Sequence, residues 1–92
     1  MNLKELLDYV VRSLVDIPEE VEVKETAGEG GQIFEIFVAQ DDIGKVIGRE
    51  GRIVNALRTI TKAAAAKTNL KVTVEILSRQ ELAERQVAGS AA

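Results

Sequence analysis

Between Ile43 and Val54 the chain reads IGKVIGREGRIV, a run that sets Gly44, Gly48 and Gly51 and the cations Lys45, Arg49 and Arg52 into otherwise apolar sequence. A glycine inside a helix costs about 1 kcal/mol relative to alanine, so this density needs a reason. Gly48 and Gly51 bracket a sharp turn between two helical stretches, and glycine enters positive φ without a Cβ clash. The helix that follows begins at Gly51 with free backbone N–H groups and a positive dipole end, and the nearby basic side chains add to that field. Such an arrangement binds anions. Gly44 lies one turn earlier; taken alone it reads as a packing glycine, and in this context as a slot where a flat group approaches the backbone. Glu50 opposes an anion in the turn unless its carboxylate points away and pairs with a neighbouring arginine.

Other chemistry is poorly supplied. With no histidine and no cysteine, the chain lacks the commonest general base, the commonest metal ligand and any disulfide framework. Its many carboxylates show neither a metal-ligand spacing nor a partnered base, so the expectation is no enzyme, no cofactor, no metal and no small-molecule substrate. GREGRIV does not supply the glycine, lysine and hydroxyl spacing of a nucleotide-hydrolase phosphate loop. The Gly44 to Gly48 spacing matches the small-residue motif of membrane helix pairs, but Lys45 and Arg49 rule out a bilayer setting.

Formal charge is −3 overall, and it is unevenly spread. Residues 1–40 hold three basic side chains against nine acidic, whereas residues 41–71 hold seven basic against three acidic. A polyanion docks where the local potential favours it, and the overall charge acts mainly at a distance. Lys4, Glu5, Asp8 and Arg12 interrupt the apolar run that a leader or membrane span would need near the start, which predicts a cytoplasmic protein with no membrane partner.

The elements that would position this segment follow from periodicity. Leu3, Leu6, Leu7, Val10, Val11 and Leu14 recur at helical spacing behind Asn2, a plausible N-cap, and Asp16-Ile17-Pro18 ends the helix. Val21 to Glu25 and Gln32 to Ala39 alternate as strands joined by a loose turn at Ala27 to Gly31. In the second strand Phe34, Ile36 and Val38 face one way, and Ile33, Glu35 and Phe37 form a mixed second face. Asp41 and Asp42 suit a helix start, and a short helix runs from Asp42 to Ile47. A longer helix after Gly51 places Ile53, Leu57, Ile60 and Ala64 on one face and extends to about Lys67; Val46, Leu57 and Ile60 are expected in the core. Thr68 and Asn69 end it. Leu70, Val72, Val74 and Ile76 then face one way in a closing strand. Residues 1–77 read as one domain, and residues 78–92 as a frayed helix or disordered tail.

The order α-β-β-α-α-β and the glycine-flanked turn together resemble the type II KH domain, an α+β fold whose three-stranded mixed sheet carries three helices on one face. At 92 residues the chain is most similar to the small stand-alone bacterial KH proteins of the KhpA type, over roughly Met1 to Leu77. That resemblance implies a single-stranded RNA-binding protein, an RNA chaperone or post-transcriptional regulator, with Gly48, Arg49, Glu50 and Gly51 as a GXXG clamp on the RNA backbone. Lys45, Arg49 and Arg52 would neutralise phosphates, while Ile43, Gly44, Ile47, Ile53 and Val54 would be the candidates to line an apolar base groove. It also implies a dimer, either a homodimer or a pairing with a second KH-containing protein of the KhpB kind. The competing reading is a KH fold kept as a dimerisation or docking module, using Ile60, Ala63, Ala64 and Ala66 with the mixed face of Gln32 to Ala39, in which RNA binding is weak or secondary.

Overall fold

A computed structural model of the chain describes residues 2–28 and 31–80. Helix α1 spans Leu3–Leu14, and the Asn2 side chain accepts from the Glu5 amide at 2.8 Å, satisfying one of the donors that a helix start leaves free. Leu7 and Val11 are its buried pair. After a 3₁₀ turn at Pro18–Glu20, strands β1 (Glu22–Gly28) and β2 (Gly31–Val38) pair antiparallel, from Glu22 opposite Phe37 to Gly28 opposite Gly31. The ladder thus reaches both ends of what the sequence suggests as a loose turn, because Thr26 and Ala27 still find partners in Ile33 and Gln32.

A 3₁₀ turn at Gln40–Asp42 leads into α2 (Ile43–Ile47), which α3 (Arg52–Ala65) follows after the glycine turn. Ala66–Thr68 closes α3 as a 3₁₀ turn, and Asn69, at φ 57°, stops it in the left-handed region that asparagine tolerates. Strand β3 (Lys71–Ser78) lies parallel to β2, giving a mixed sheet in the order β1-β2-β3. Reaching a parallel neighbour requires a crossover, and α2 and α3 provide it.

The core lies between one sheet face and the helices. Val23, Phe34, Ile36, Val38, Val72 and Val74 meet Leu7, Val11, Val46, Leu57 and Ala65 there. This is the α+β architecture and element order expected, with three differences in which side chains are buried. On α3 the buried positions are Val54, Leu57, Thr61 and Ala65, not Ile60 and Ala64. Both sets have helical spacing, and the choice falls to Thr61 because its hydroxyl donates to the Leu57 carbonyl at 2.7 Å, so a polar side chain can be buried without loss. Ile60 is left 54 % exposed. On β2, Phe37 is only 1 % exposed although it belongs to the face opposite the core, with the Lys24 ammonium 5.5 Å from its ring centre. Leu70 precedes β3 and is 44 % exposed, outside the inward row that Val72 and Val74 form.

Ser78 is the last residue of β3 and is buried. Arg79 turns back toward the start of β1, where it pairs with Glu22 and, at 3.5 Å, with Glu20. The expected tail falls, from residue 81 onward, outside the described residues. No helix among the described residues is long and apolar enough to cross a membrane.

Candidate nucleic-acid interface

Helix α2 is five residues long and ends where the Gly48 amide donates to the Gly44 carbonyl at 2.9 Å. Gly48 then takes φ 77° and ψ 174°, and Arg49–Gly51 forms one 3₁₀ turn in which Glu50 sits at φ 56° and Gly51 at φ 75°. Three residues out of four therefore have positive φ, and the chain reverses within them. A Cβ on Gly48 would lie 2.6 Å from Ile53 Cγ1, so no side chain fits between this turn and the first turn of α3. Ile53 is half-buried and braces the loop from below.

The turn presents its charge to solvent. Arg49, Glu50 and Arg52 are exposed, and no side chain caps the N-terminus of α3 at Gly51. Arg52 Nη2 lies 3.7 Å from Glu50 Oε2 with both side chains about three-quarters exposed. The loop carboxylate is therefore directed at a neighbouring arginine, and so solvated a pair contributes little.

Gly44 differs from its neighbours. A Cβ there would meet nothing within 4 Å, which removes the packing explanation and leaves an open stretch of α2 surface one turn before the loop. Of the other groove candidates, Ile43 and Ile53 are half-buried and pack on the core, Ile47 is half-buried, and Val54 is 6 % exposed, with its Cγ1 3.9 Å from where a Gly51 Cβ would lie.

Lys45, with its side chain 42 % exposed, bridges the exposed Asp16 and the buried Asp42. Its ammonium donates to Asp16, and lies 3.3 Å from Asp42 Oδ1. Asp42 Oδ2 in turn accepts from the Ile17 amide at 3.0 Å. Burial pushes the Asp42 carboxyl up, but the amides of Ile17 and Asp16 and the Lys45 ammonium outweigh it and hold it below the usual carboxylate value. For Lys45 the hydrogen bond to Asp16 dominates; partial burial opposes it, Asp42 adds to it, and the result is a raised value.

Sequence reasoning does not single out Arg58. It lies two turns along α3 from Arg52, and its Nε donates to the Val74 carbonyl of the edge strand β3 at 3.3 Å while Nη1 donates to Asn55 Oδ1 at 3.3 Å. Asn55 itself packs 3.6 Å from where a Gly51 Cβ would be. The available signal is the Arg52, Asn55, Arg58 spacing: three polar side chains on one helical stripe leading away from the loop.

Comparison with known proteins adds lineage to this geometry. Residues 4–76 match the family described as KhpA/KhpB, KH domain. A protein of Clostridium acetobutylicum named RNA-binding protein KhpA is 53 % identical over 75 residues, covering 82 % of this chain and 100 % of the relative. Proteins of the same name from Chlamydia trachomatis and Borreliella burgdorferi are 47 % identical over 78 residues (85 % of this chain, 100 % of the relative) and 51 % identical over 76 residues (83 % and 93 %). No solved structure matches the chain. With a family match that spans nearly the whole described fold, and with relatives sharing about half their residues with it, the chain belongs to the KhpA/KhpB family of KH domains.

Proposed function

We propose that this protein binds single-stranded RNA, gripping the sugar-phosphate backbone with the turn from Gly48 to Gly51. The observation that carries the reading is the exposed, glycine-shaped turn at the uncapped N-terminus of α3 with Arg49 and Arg52 beside it. Phosphate oxygens meet amide donors and guanidinium groups there, and the open face of α2 at Gly44 lets a base plane approach the backbone. The relatives' printed name agrees with this chemistry. No aromatic side chain lies in the segment, so base contacts are van der Waals and edge hydrogen bonds, and binding is weak and tolerant of sequence. That behaviour suits a cytoplasmic RNA chaperone or post-transcriptional regulator.

A single site of this kind gains effective affinity from a second one nearby. Ile60, Ala63 and Ala64 on α3 and Ala66 just after it are all exposed, and a groove of about 340 Å³ lined by Leu3, Phe34, Ala64, Ala65 and Leu70, with Asn2, Glu25 and Gln32 on its polar side, shares Ala64 with that surface. The dimer contact, with a second copy or another KH protein, is assigned to this side of α3. On the mixed face of β2, Phe37 is buried, while Ile33 and Glu35 are half-buried.

The double substitution Arg49→Asp and Glu50→Asp tests the clamp. Aspartate is tolerated at the left-handed position of Glu50, so circular dichroism is expected to be unchanged while the shift of a single-stranded RNA ladder disappears. An unaltered shift from a folded variant overturns the clamp.

A further inference from the structure

Asp42 is the most deeply buried ionised group among the described residues, at 1 % exposure, and the RNA clamp makes no direct use of it. It occupies the N-cap position of α2, where an acidic side chain ordinarily turns back to the free amides of its own helix. Here it makes no such bond. Its carboxylate instead reaches a residue 25 positions earlier, the Ile17 amide in the segment joining α1 to β1, and takes Lys45 as its second partner. Lys45 extends the link to Asp16 in that same segment. Two contacts thus tie the α1–β1 connection to the start of α2.

Helix α2 has five residues and could not hold its own geometry in isolation. Its last hydrogen bond, from the Gly48 amide to the Gly44 carbonyl, sets the direction in which the glycine turn leaves. Whatever fixes the first turn of α2 therefore fixes the loop. Lys45 is poorly placed to meet RNA. It sits between two carboxylates, so the three side chains together carry a net negative charge, and a phosphate approaching the ammonium meets both.

We infer that Asp42 is a positioning residue for the RNA loop, and that Lys45 serves this latch rather than contacting phosphate. The inference rests on the RNA-clamp reading for its functional consequence, and one measurement below is independent of RNA.

The experiment uses the whole chain and a fluorescently labelled oligouridylate, titrated by anisotropy at several salt concentrations. A lysine that contacts phosphate contributes about 0.7 to the log–log salt slope for single strands. Lys45→Gln is expected to weaken binding several-fold with an unchanged slope, and Asp16→Asn, which breaks the exposed arm of the latch, is expected to do the same. The double variant should be no weaker than the weaker single variant. Arg52→Gln is the control and should lower the slope by about 0.7. A Lys45→Gln slope reduced by as much as that of Arg52→Gln overturns the inference. In the free protein, amide hydrogen exchange at Gly48 is expected to quicken in Lys45→Gln by about threefold or more; exchange identical to wild type overturns it as well. If instead Arg49 and Arg52 variants leave RNA binding untouched, the clamp reading falls, and the exchange measurement still decides the latch.

Discussion

Gly44 and Gly48 stand four residues apart and are glycine for opposite reasons. At Gly48 both the backbone, at φ 77°, and the space, with Ile53 where a Cβ would go, forbid a side chain. Gly48→Ala is therefore expected to destabilise the fold by about 1–3 kcal/mol, read as a lowered midpoint in urea. Gly44 has room on all sides and lies within α2. Gly44→Ala should raise stability by up to about 1 kcal/mol through helix propensity, yet weaken RNA binding by filling the slot. Stability and binding moving in opposite directions would mark Gly44 as a glycine kept for a ligand; a variant that binds as well as wild type would remove it from the interface. Glu50 adds a third case, a non-glycine residue held at φ 56° with its carboxylate on Arg52. Glu50→Gly should relieve about 1 kcal/mol of backbone strain and free Arg52, so tighter RNA binding is expected in the same anisotropy titration.

At the scale of elements, the short helix α2 is joined to the segment between α1 and β1 by the Asp42 and Lys45 contacts, and their pH dependence follows from the signs of the shifts. Asp42 is held below its usual value, so its contribution is complete above the unfolded carboxylate value of about 3.9 and is lost as pH falls through the folded one. Lys45 is raised, so its contribution is complete below the unfolded lysine value of about 10.4 and is lost as pH rises through the folded one. The groups facing this pair are the Asp16 carboxylate and the amides of Asp16 and Ile17. The stability difference between wild type and Asp42→Asn is thus expected to be level between about pH 5 and 9 and to shrink below about pH 4, measured by urea unfolding across that range. A difference that persists in acid would show that the carboxylate is not the stabilising form.

For the whole molecule, an acidic chain carries one basic segment, whose exposed cations run from Arg49 and Arg52 at the glycine turn to Arg58 and Lys62 on α3, and the same helix carries the exposed apolar surface around Ile60. The two surfaces respond differently to solvent. RNA affinity should fall steeply with salt through Arg49 and Arg52, whereas association through Ile60 and its alanine neighbours should hardly change. Ile60→Asp is expected to leave monomer stability within about 0.5 kcal/mol, since the side chain is exposed, to give monomers by sedimentation, and to weaken RNA binding by losing the second site. Dimers of undiminished mass would exclude this stripe as the contact.

Local chemistry was sufficient for much of this. Element order, the Asn2 cap, the break at Asn69 and the position of the glycine turn depend on residues close in sequence, whose propensities act over a few bonds. The grouping of Phe34, Ile36 and Val38 on one face of β2 was equally legible from the period of two, although the mixed second face, with Ile33 and Phe37, left open which row is inward. Tertiary contacts decided the rest. Whether Thr61 or Ile60 points inward depends on packing against the sheet, since both satisfy the same helical period. The pairing of Lys45 with Asp16 joins residues 29 positions apart in sequence, and no local pattern encodes that distance. Spacing along a chain specifies which side chains can share a face, and only the folded arrangement of elements determines what that face meets.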